Sequence, residues 1–384
     1  MRIPRILLEL GRKSPSQSRR RKWPVAYLSS RFQEELVSKR ALFFFRDQIY
    51  FRCRTTTYAE HFTDPPRQGW PSVGPALPVF DKKLLLRGRS PIADLSTVLA
   101  HYTGRVLSNP GDVFRAIEGT LRRFSELLQC TFFQGMPTAM FDLFLLFNAD
   151  LNTGVSLTRR PEFPSYSWLG WKGKLAEAAE TLATDYWFNE SCWIVWYKRL
   201  PSGHTTLVWE QDPESLLSEI EGEKIPRYRL PRPRFIPALP LSVNTSLTTP
   251  SFISAAEIPH LPYPLLQFWT ISVFHKMEIK EGVYPAGSIK YLRNPYRDEA
   301  EAVGGIYPLD AFGESTFYDD VTEPFEFILL SESANDTSPM RWYQVMLIEW
   351  NGRIAMRRGT GAIESEFVFS RSNPAPVWKE ILLG

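Results

Sequence analysis

The first regular hydrophobic pattern in the chain predicts two short strands between residues 41 and 53. Residues 42–45 form an apolar, aromatic run of high strand preference. Residues 46–48 supply a polar turn, and apolar and polar side chains then alternate over residues 49–53, the period of a half-buried strand. The segment is therefore expected to form an antiparallel pair.

The clearest helical pattern follows Asn109. Asn109 suits an N-cap, Pro110 suits the first helical position, and Asp112 places an acid in the first turn. Apolar residues then recur at helical spacing on one face: Val113, Phe114, Ile117, Leu121, Phe124, Leu127 and Leu128. Arg115, Glu118, Arg122, Arg123 and Glu126 take the other face. The pattern predicts an amphipathic helix from Pro110, and the apolar residues 140–147 predict a second helix.

From residue 187 onward the pattern changes to strands. Strands are predicted over residues 192–197, 205–209, 325–330 and 342–350, and Asn351-Gly352 followed by residues 353–356 is a strong hairpin signal. Residues 62–92 are rich in proline and glycine and predict a loop. Residues 225–264 are too dense in proline for helix or sheet and predict a linker or a segment running over the surface.

Together these patterns predict an α+β chain, a mixed helical and strand body with an antiparallel, β-rich C-terminal part. The hairpin near residues 41–53 and the helices of residues 109–150 are expected to form one body. The predicted regions are a basic flexible tail (1–28), a helical middle region (61–186), short strands (187–224), a proline-rich linker (225–264) and a β-rich region (265–384). The strands of residues 187–209 and 325–370 are expected to form an antiparallel sheet.

Composition narrows the class of protein. The 384 residues are 43% hydrophobic and 23% charged, which excludes collagenous, coiled-coil and wholly disordered chains. A net charge of +3 gives no reason to expect nucleic acid or an anionic membrane as partner. The apolar run at residues 136–147 is shorter than a membrane span and contains Asp142.

The first 22 residues carry eight basic side chains and one acid, and the early apolar run is broken by Glu9. That pattern does not suit a secretory signal. A mitochondrial presequence or a nuclear signal stays open beside the favoured interpretation, a flexible basic tail. The chain is expected to be cytoplasmic, with free thiols.

Residue patterns typical of catalysis or cofactor binding are not found in the sequence. The three cysteines and five histidines are scattered without metal-ligand spacing, so neither a metal nor a cofactor is predicted. Ser165 and Ser167 lack the leading glycine of a hydrolase nucleophile elbow. Gly104, Gly111 and Gly119 lack the spacing of a dinucleotide fingerprint. No catalytic residue is therefore predicted, and an enzyme is the less favoured class.

One block resembles a known family. Residues 32–40 contain Phe32, Gln33, Glu34, Leu36, Ser38 and Arg40. This block resembles the sequence Trp-x-Phe-Gln-Glu-x-Leu-x-Ser-x-Arg that closes the fungal heterokaryon-incompatibility (HET) domain. An aromatic strand and a turn follow it, as in that family, and residues 29–60 are interpreted as the C-terminal remnant of a HET domain.

Two later blocks strengthen the resemblance. Tyr102 to Ser108 with Arg105, followed by Asp112, Ala116 and Gly119, is similar to the family's Tyr-Ser-x-Arg-x-Leu-Thr segment and its next helix. Residues 160–168, which include Ser165 and Trp168, are close to the family's Ala-Pro-Ser-Trp-Ser-Trp. Gly359-Thr360-Gly361 fits a Gly-x-Gly hairpin near the end of such proteins.

The chain also departs from the family pattern. Ser30 stands where the family has Trp, and the N-terminal blocks of the domain do not occur upstream. The chain thus looks like the C-terminal portion of a HET protein. The resemblance implies non-self recognition and programmed cell death signalling in a filamentous fungus, through incompatibility proteins or self-association. A non-functional truncated remnant stays open, as does, less favoured, a cryptic hydrolase or nucleotide-cleaving enzyme.

For most motif residues an architectural role is expected before a functional one. Gln33 and Glu34 are expected to cap or pair with local backbone, with a signalling surface as the alternative. Arg105 and Asp112 could pair near the start of the helix. Trp168 is expected to pack into the core while the neighbouring serines bond the turn backbone.

Overall fold

The computed structural model describes part of the chain. The described residues are 40–44, 49–53, 57–59, 91–107, 109–128, 130–150, 156–176, 194–208, 250–253, 257–279, 290–293, 302–310, 324–333 and 342–384. Phe32, Gln33, Glu34, Leu36 and Ser38 lie outside them, as do residues 61–90 and most of the predicted linker.

The first strands form a small antiparallel sheet. β1 (Arg40–Phe44) pairs with β2 (Ile49–Cys53), which pairs with β3 (Thr57–Ala59). In the first pair Phe44 lies opposite Ile49, so the predicted pairing is confirmed, while the predicted turn at residues 46–48 lies outside the described residues. That this sheet forms one body with the helices stays a prediction.

The helical region begins with a helix that the sequence pattern did not predict. α1 (Pro91–Thr103) starts inside the segment interpreted as a loop, so positions 91 and 92 of that prediction are wrong. Ile92, Leu95, Val98 and Leu99 are all buried, at the i, i+3, i+4 spacing of one helical face. Asp94 and Ser96 are buried as well, so burial extends beyond the apolar face and the sequence shows little contrast between the sides of this helix.

The second helix starts later than predicted. Asn109 accepts a hydrogen bond from the Gly111 N–H at 3.2 Å, but it caps only a 3-10 turn (Pro110–Asp112), and α2 runs from Arg115 to Leu128. The hydroxyl of Tyr102 donates to the Val113 carbonyl at 2.6 Å, and the Ile117 N–H bonds the Phe114 carbonyl at 3.1 Å. At this point the Ile117 N–H bonds the carbonyl three positions back, as in a 3-10 turn, and the regular helix begins at Arg115.

The predicted faces of this helix are confirmed. Ile117, Leu121, Phe124 and Leu128 are buried, and each contributes roughly 1.5–3 kcal/mol relative to exposure. On the outer face Arg122 pairs with Glu118 at 2.8 Å and Arg123 with Glu126 at 2.6 Å. Such exposed pairs add only about 0.3 kcal/mol each.

The next apolar segment forms a very short helix. β4 (Phe132–Phe133) pairs with β5 (Met136–Pro137), a 3-10 turn covers Thr138–Met140, and α3 covers Phe141–Phe144. Residues 138–145 are buried on every side. A helix does form within the predicted residues 140–147, but it is shorter than predicted. Since the segment is buried on all sides, its sequence has no alternation of polar and apolar residues that would indicate where the helix ends.

Most remaining strands belong to one large sheet. Its strands are β8 (Tyr197–Arg199), β9 (Thr205–Leu207), β10 (Leu265–His275), β11 (Met277–Ile279), β12 (Lys290–Arg293), β13 (Ala302–Pro308), β14 (Phe325–Ser333), β15 (Trp342–Asn351), β16 (Ile354–Glu364) and β17 (Val377–Leu383). The preceding pair, β6 (Thr158–Arg159) and β7 (Trp171–Lys172), stands apart, and α4 (Ser365–Ser370) joins β16 to β17. The chain is α+β, as predicted, and its C-terminal sheet is mainly antiparallel.

Five strands of this sheet close on themselves. β10 pairs with β14, β14 with β15, and β15 with β16, all antiparallel. β17 then bridges β10 and β16, pairing parallel with the latter where Ala355 lies opposite Leu383. The short pair β8–β9 joins β10, so these strands and those after residue 325 share one sheet, as predicted. The strand predicted over residues 192–197 is misplaced, since residues 194–196 are not in a strand and β8 covers Tyr197–Arg199.

The predicted hairpin after β15 is confirmed, and its loop lies one position later in the chain than predicted. Asn351 still pairs with Ile354, so the two-residue loop is Gly352-Arg353. Gly352 has φ 62°, a positive value that glycine adopts more readily than any other residue.

The helical region and the sheet share one hydrophobic core. Leu95, Phe124 and Trp168 belong to the same buried cluster as Phe268 and Phe327. No helix among the described residues has the length and apolar character needed to cross a membrane.

Candidate functional site

The third sequence block lies in a loop, residues 159–172, whose ends are joined by the β6–β7 pair. Two arginines at its start hold its backbone together. Arg159 donates to the carbonyls of Gly170 at 2.9 Å and Phe163 at 2.6 Å. Arg160 donates to the Leu169 and Trp171 carbonyls. The two guanidinium groups thus join the start of the irregular loop to backbone carbonyls further along it, in addition to the backbone bond from the Arg160 N–H to the Gly170 carbonyl at 2.7 Å.

Burial alters the ionisation of groups around this loop. It lowers the pKa of Arg159, opposed by a hydrogen bond with Tyr263, and it lowers the pKa of Arg160. Burial also raises the pKa of Tyr102, an effect that the nearby Arg160 charge partly offsets. The Tyr102 hydroxyl therefore keeps its proton, and can donate it in a hydrogen bond, at alkaline pH where an exposed tyrosine would ionise.

Trp168 and Trp171 anchor the loop in the core, and each is 1% exposed. The Trp168 indole N–H donates to the Gly135 carbonyl at 2.8 Å, and that of Trp171 to the Ser165 carbonyl at 2.8 Å. Trp168 also meets Tyr102 edge to face, with ring centroids 6.0 Å apart. The expected packing of Trp168 into the core is confirmed.

Gly135 makes room for the Trp168 ring. It has φ 75°, and a Cβ built on it would lie 3.0 Å from three atoms of the indole. Glycine at position 135 is therefore a packing requirement of the third block.

The two serines of the block have different partners. Ser167 accepts from the Leu169 N–H at 3.0 Å and donates to the Gln134 carbonyl at 2.6 Å, so its predicted bond to the turn backbone is confirmed. Ser165 instead joins distant parts of the chain: it accepts from the Arg357 N–H at 2.8 Å and donates to the backbone oxygen of Gly384. Both hydroxyls are buried in structural hydrogen bonds, an arrangement that positions backbone and does not present a nucleophile.

Arg357 is the residue at this junction that sequence reasoning missed. It is fully buried, its guanidinium donates to the carbonyls of Leu145 at 2.6 Å and of Phe147, and its charge lies 3.7 Å from the centre of the Phe147 ring. Burial lowers the pKa of this guanidinium well below its ordinary value. A basic residue in a strand looks like a solvent-facing position, so no local signal could have found it.

The other residues predicted from the resemblance are more scattered. Arg40 starts β1 and is exposed. Asp112 accepts from the Asn109 amide at 3.1 Å, and the Arg105 N–H donates to the Tyr102 carbonyl at 3.1 Å. The ion pair between Arg105 and Asp112 stays a prediction. The structure thus joins the second and third blocks through Tyr102 and Trp168, while Arg40 lies in the separate three-stranded sheet.

The Gly-x-Gly segment lies in the middle of β16, where it pairs with β13 and β15, and not at the hairpin that the resemblance suggested. A Cβ on Gly361 would lie 2.0 Å from the Gly305 carbonyl oxygen, and one on Gly359 would lie 2.7 Å from that of Tyr307. Thr360 between them donates to the Asn148 side chain at 2.6 Å. The two glycines allow the neighbouring strand to approach closely.

A second polar cluster, also missed, fixes the segment at residues 250–253. Arg199, 4% exposed, donates to the Ile253 carbonyl and, at 3.4 Å, to Gln267. Gln267 donates to the Ser251 carbonyl at 2.9 Å and to Glu380 at 2.8 Å. Glu380 in turn accepts from the Ser251 N–H at 2.7 Å and from its hydroxyl. We call Arg199, Gln267 and Glu380 the clamp.

Among the described residues no three His, Cys, Asp or Glu side chains gather as metal ligands would. Comparison with protein-family models, curated proteins and solved structures gave no significant match.

Proposed function

We propose that this chain is a heterokaryon-incompatibility-type protein that acts in non-self recognition and programmed cell death signalling in a filamentous fungus. It works in the cytoplasm through contacts with other proteins, either incompatibility proteins or further copies of itself. The order and spacing of the three sequence blocks are the basis of the proposal.

The observation that carries it is the edge-to-face contact between Tyr102 of the second block and Trp168 of the third. The two residues are 66 positions apart by their numbers, and both are almost fully buried. Ser165 of the third block also meets Arg357, two positions before the Gly-x-Gly segment. Blocks that meet in one core are what a shared family architecture requires, and chance matches would have no reason to be neighbours.

Charge favours proteins as partners. The 45 basic and 42 acidic residues nearly cancel, so the whole chain has no strong field toward nucleic acid or an anionic membrane. Recognition of a protein surface by shape and apolar contact needs no such field.

The test is a gene deletion in the fungus that carries the gene. The parent and the deletion strain are each confronted with a panel of wild isolates, and dead fusion cells are counted by uptake of a vital dye. We expect at least one isolate to give dead fusion cells with the parent and live ones with the deletion strain. An unchanged count of dead cells across the panel would contradict the proposal and favour the non-functional remnant.

Re-introduced variants make the test specific to the proposed architecture. Trp168→Ser removes the contact with Tyr102 and should behave as the deletion does. Trp350→Ser changes a tryptophan that is 37% exposed and belongs to no block, so it should restore the wild-type response. Protein levels of both variants are compared by immunoblot, so that loss of protein is recognised as the cause where it occurs.

A further inference from the structure

We draw no further inference here: the strongest candidate, the side-chain cluster of the clamp with the exposed Phe252 on the segment that it fixes, carries none because the clamp's polar groups bond that segment and one another and nothing in the structure shows what covers the ring.

Discussion

The hydroxyl of Ser165 accepts a hydrogen bond from the backbone N–H of Arg357 at 2.8 Å, across 192 positions of the chain. The same hydroxyl donates to the backbone oxygen of Gly384. Because both residues are buried, water cannot replace these bonds when one partner is removed. The loop of residues 159–172 is in this way joined to the end of the sheet where β16 and β17 meet.

We expect Ser165→Ala to lower the free energy of unfolding by about 2–3 kcal/mol, because it leaves the Arg357 N–H buried without an acceptor. Urea denaturation followed by circular dichroism measures the change. Ser370→Ala is the control, since the Ser370 hydroxyl bonds the Glu366 carbonyl on the surface of α4. The control should cost no more than about 0.5 kcal/mol, and an equally small loss for Ser165→Ala would contradict the structural role.

Replacing Arg357 with lysine should destabilise the protein by about 2–4 kcal/mol. An ammonium group lacks the planar fork that reaches both the Leu145 and Phe147 carbonyls, and it remains a buried charge. Arg353→Lys is the matched change in the same strand region, at a side chain that is 56% exposed, and should cost less than about 1 kcal/mol. Comparable midpoints of urea unfolding for the two variants would show that the buried guanidinium is not needed.

Two glycines of the β15–β16 region should respond differently to alanine. Gly361→Ala places a Cβ 2.0 Å from the Gly305 carbonyl oxygen and forces backbone to move, which should cost about 3 kcal/mol or more. Gly352→Ala meets no atom within 4 Å, and its cost of about 1 kcal/mol comes only from φ 62°. Thermal unfolding of both variants tests this order, and a larger loss at Gly352 would contradict the close approach of β13 to β16.

Stability should fall in mild acid because of His275. Its Nε2 lies 3.2 Å from the Val368 carbonyl, and burial lowers the pKa of the imidazole to about 4. The unfolded chain, with an ordinary histidine pKa near 6.5, then binds more protons than the folded one between those values. The stability contributed by neutral His275 is therefore complete above about pH 6.5 and is lost as the pH falls toward 4, a change of up to about 3 kcal/mol.

The variant His275→Leu separates this effect from the titration of carboxylates. Unfolding free energies of both proteins are measured at several values between pH 7 and 4. The wild type should lose more stability over this range than the variant does. Parallel curves would mean that His275 does not titrate differently in the folded and unfolded chain.

The local sequence predicted those helices and strands that have one polar and one apolar face. The outer face of α2 carries charges and its inner face carries Ile117, Leu121 and Phe124, so spacing alone identified the helix. The hairpin at Gly352 could also be predicted from the sequence, because its turn needs a residue that tolerates positive φ. By contrast, α3 is buried all round and shows no contrast between faces, so its end was misplaced.

The residue at which a helix begins depended on contacts with residues elsewhere in the chain, which no local sequence pattern contains. Asn109 and Pro110 look like the beginning of a regular helix, and they do begin a turn. That turn ends at Asp112, the Tyr102 hydroxyl bonds the Val113 carbonyl, and the regular helix α2 begins only at Arg115. α1 was missed because polar residues such as Asp94 and Ser96 are buried in it beside the apolar ones, so its sequence shows little contrast between faces.

At the candidate site, too, some features could be predicted from the sequence and others only from the structure. Ser165 and Trp168 could be singled out from a sequence block, and burial of Trp168 could be expected because a large aromatic side chain gains most from leaving water. The block did not reveal that Ser165 bonds Arg357, because the sequence between them sets no distance. Nor did it reveal that Arg199, Gln267 and Glu380 converge on Ser251 and Ile253.

The sequence by itself determined the α+β class, the amphipathic helix, the hairpins and the near-neutral charge, because each follows from residue types within a few positions of one another. Tertiary structure alone decided the closed circuit of five strands and the burial of Arg357 against the Leu145 and Phe147 carbonyls. These depend on which segments are neighbours after folding, and a buried charge is recognisable only once the atoms around it are in place.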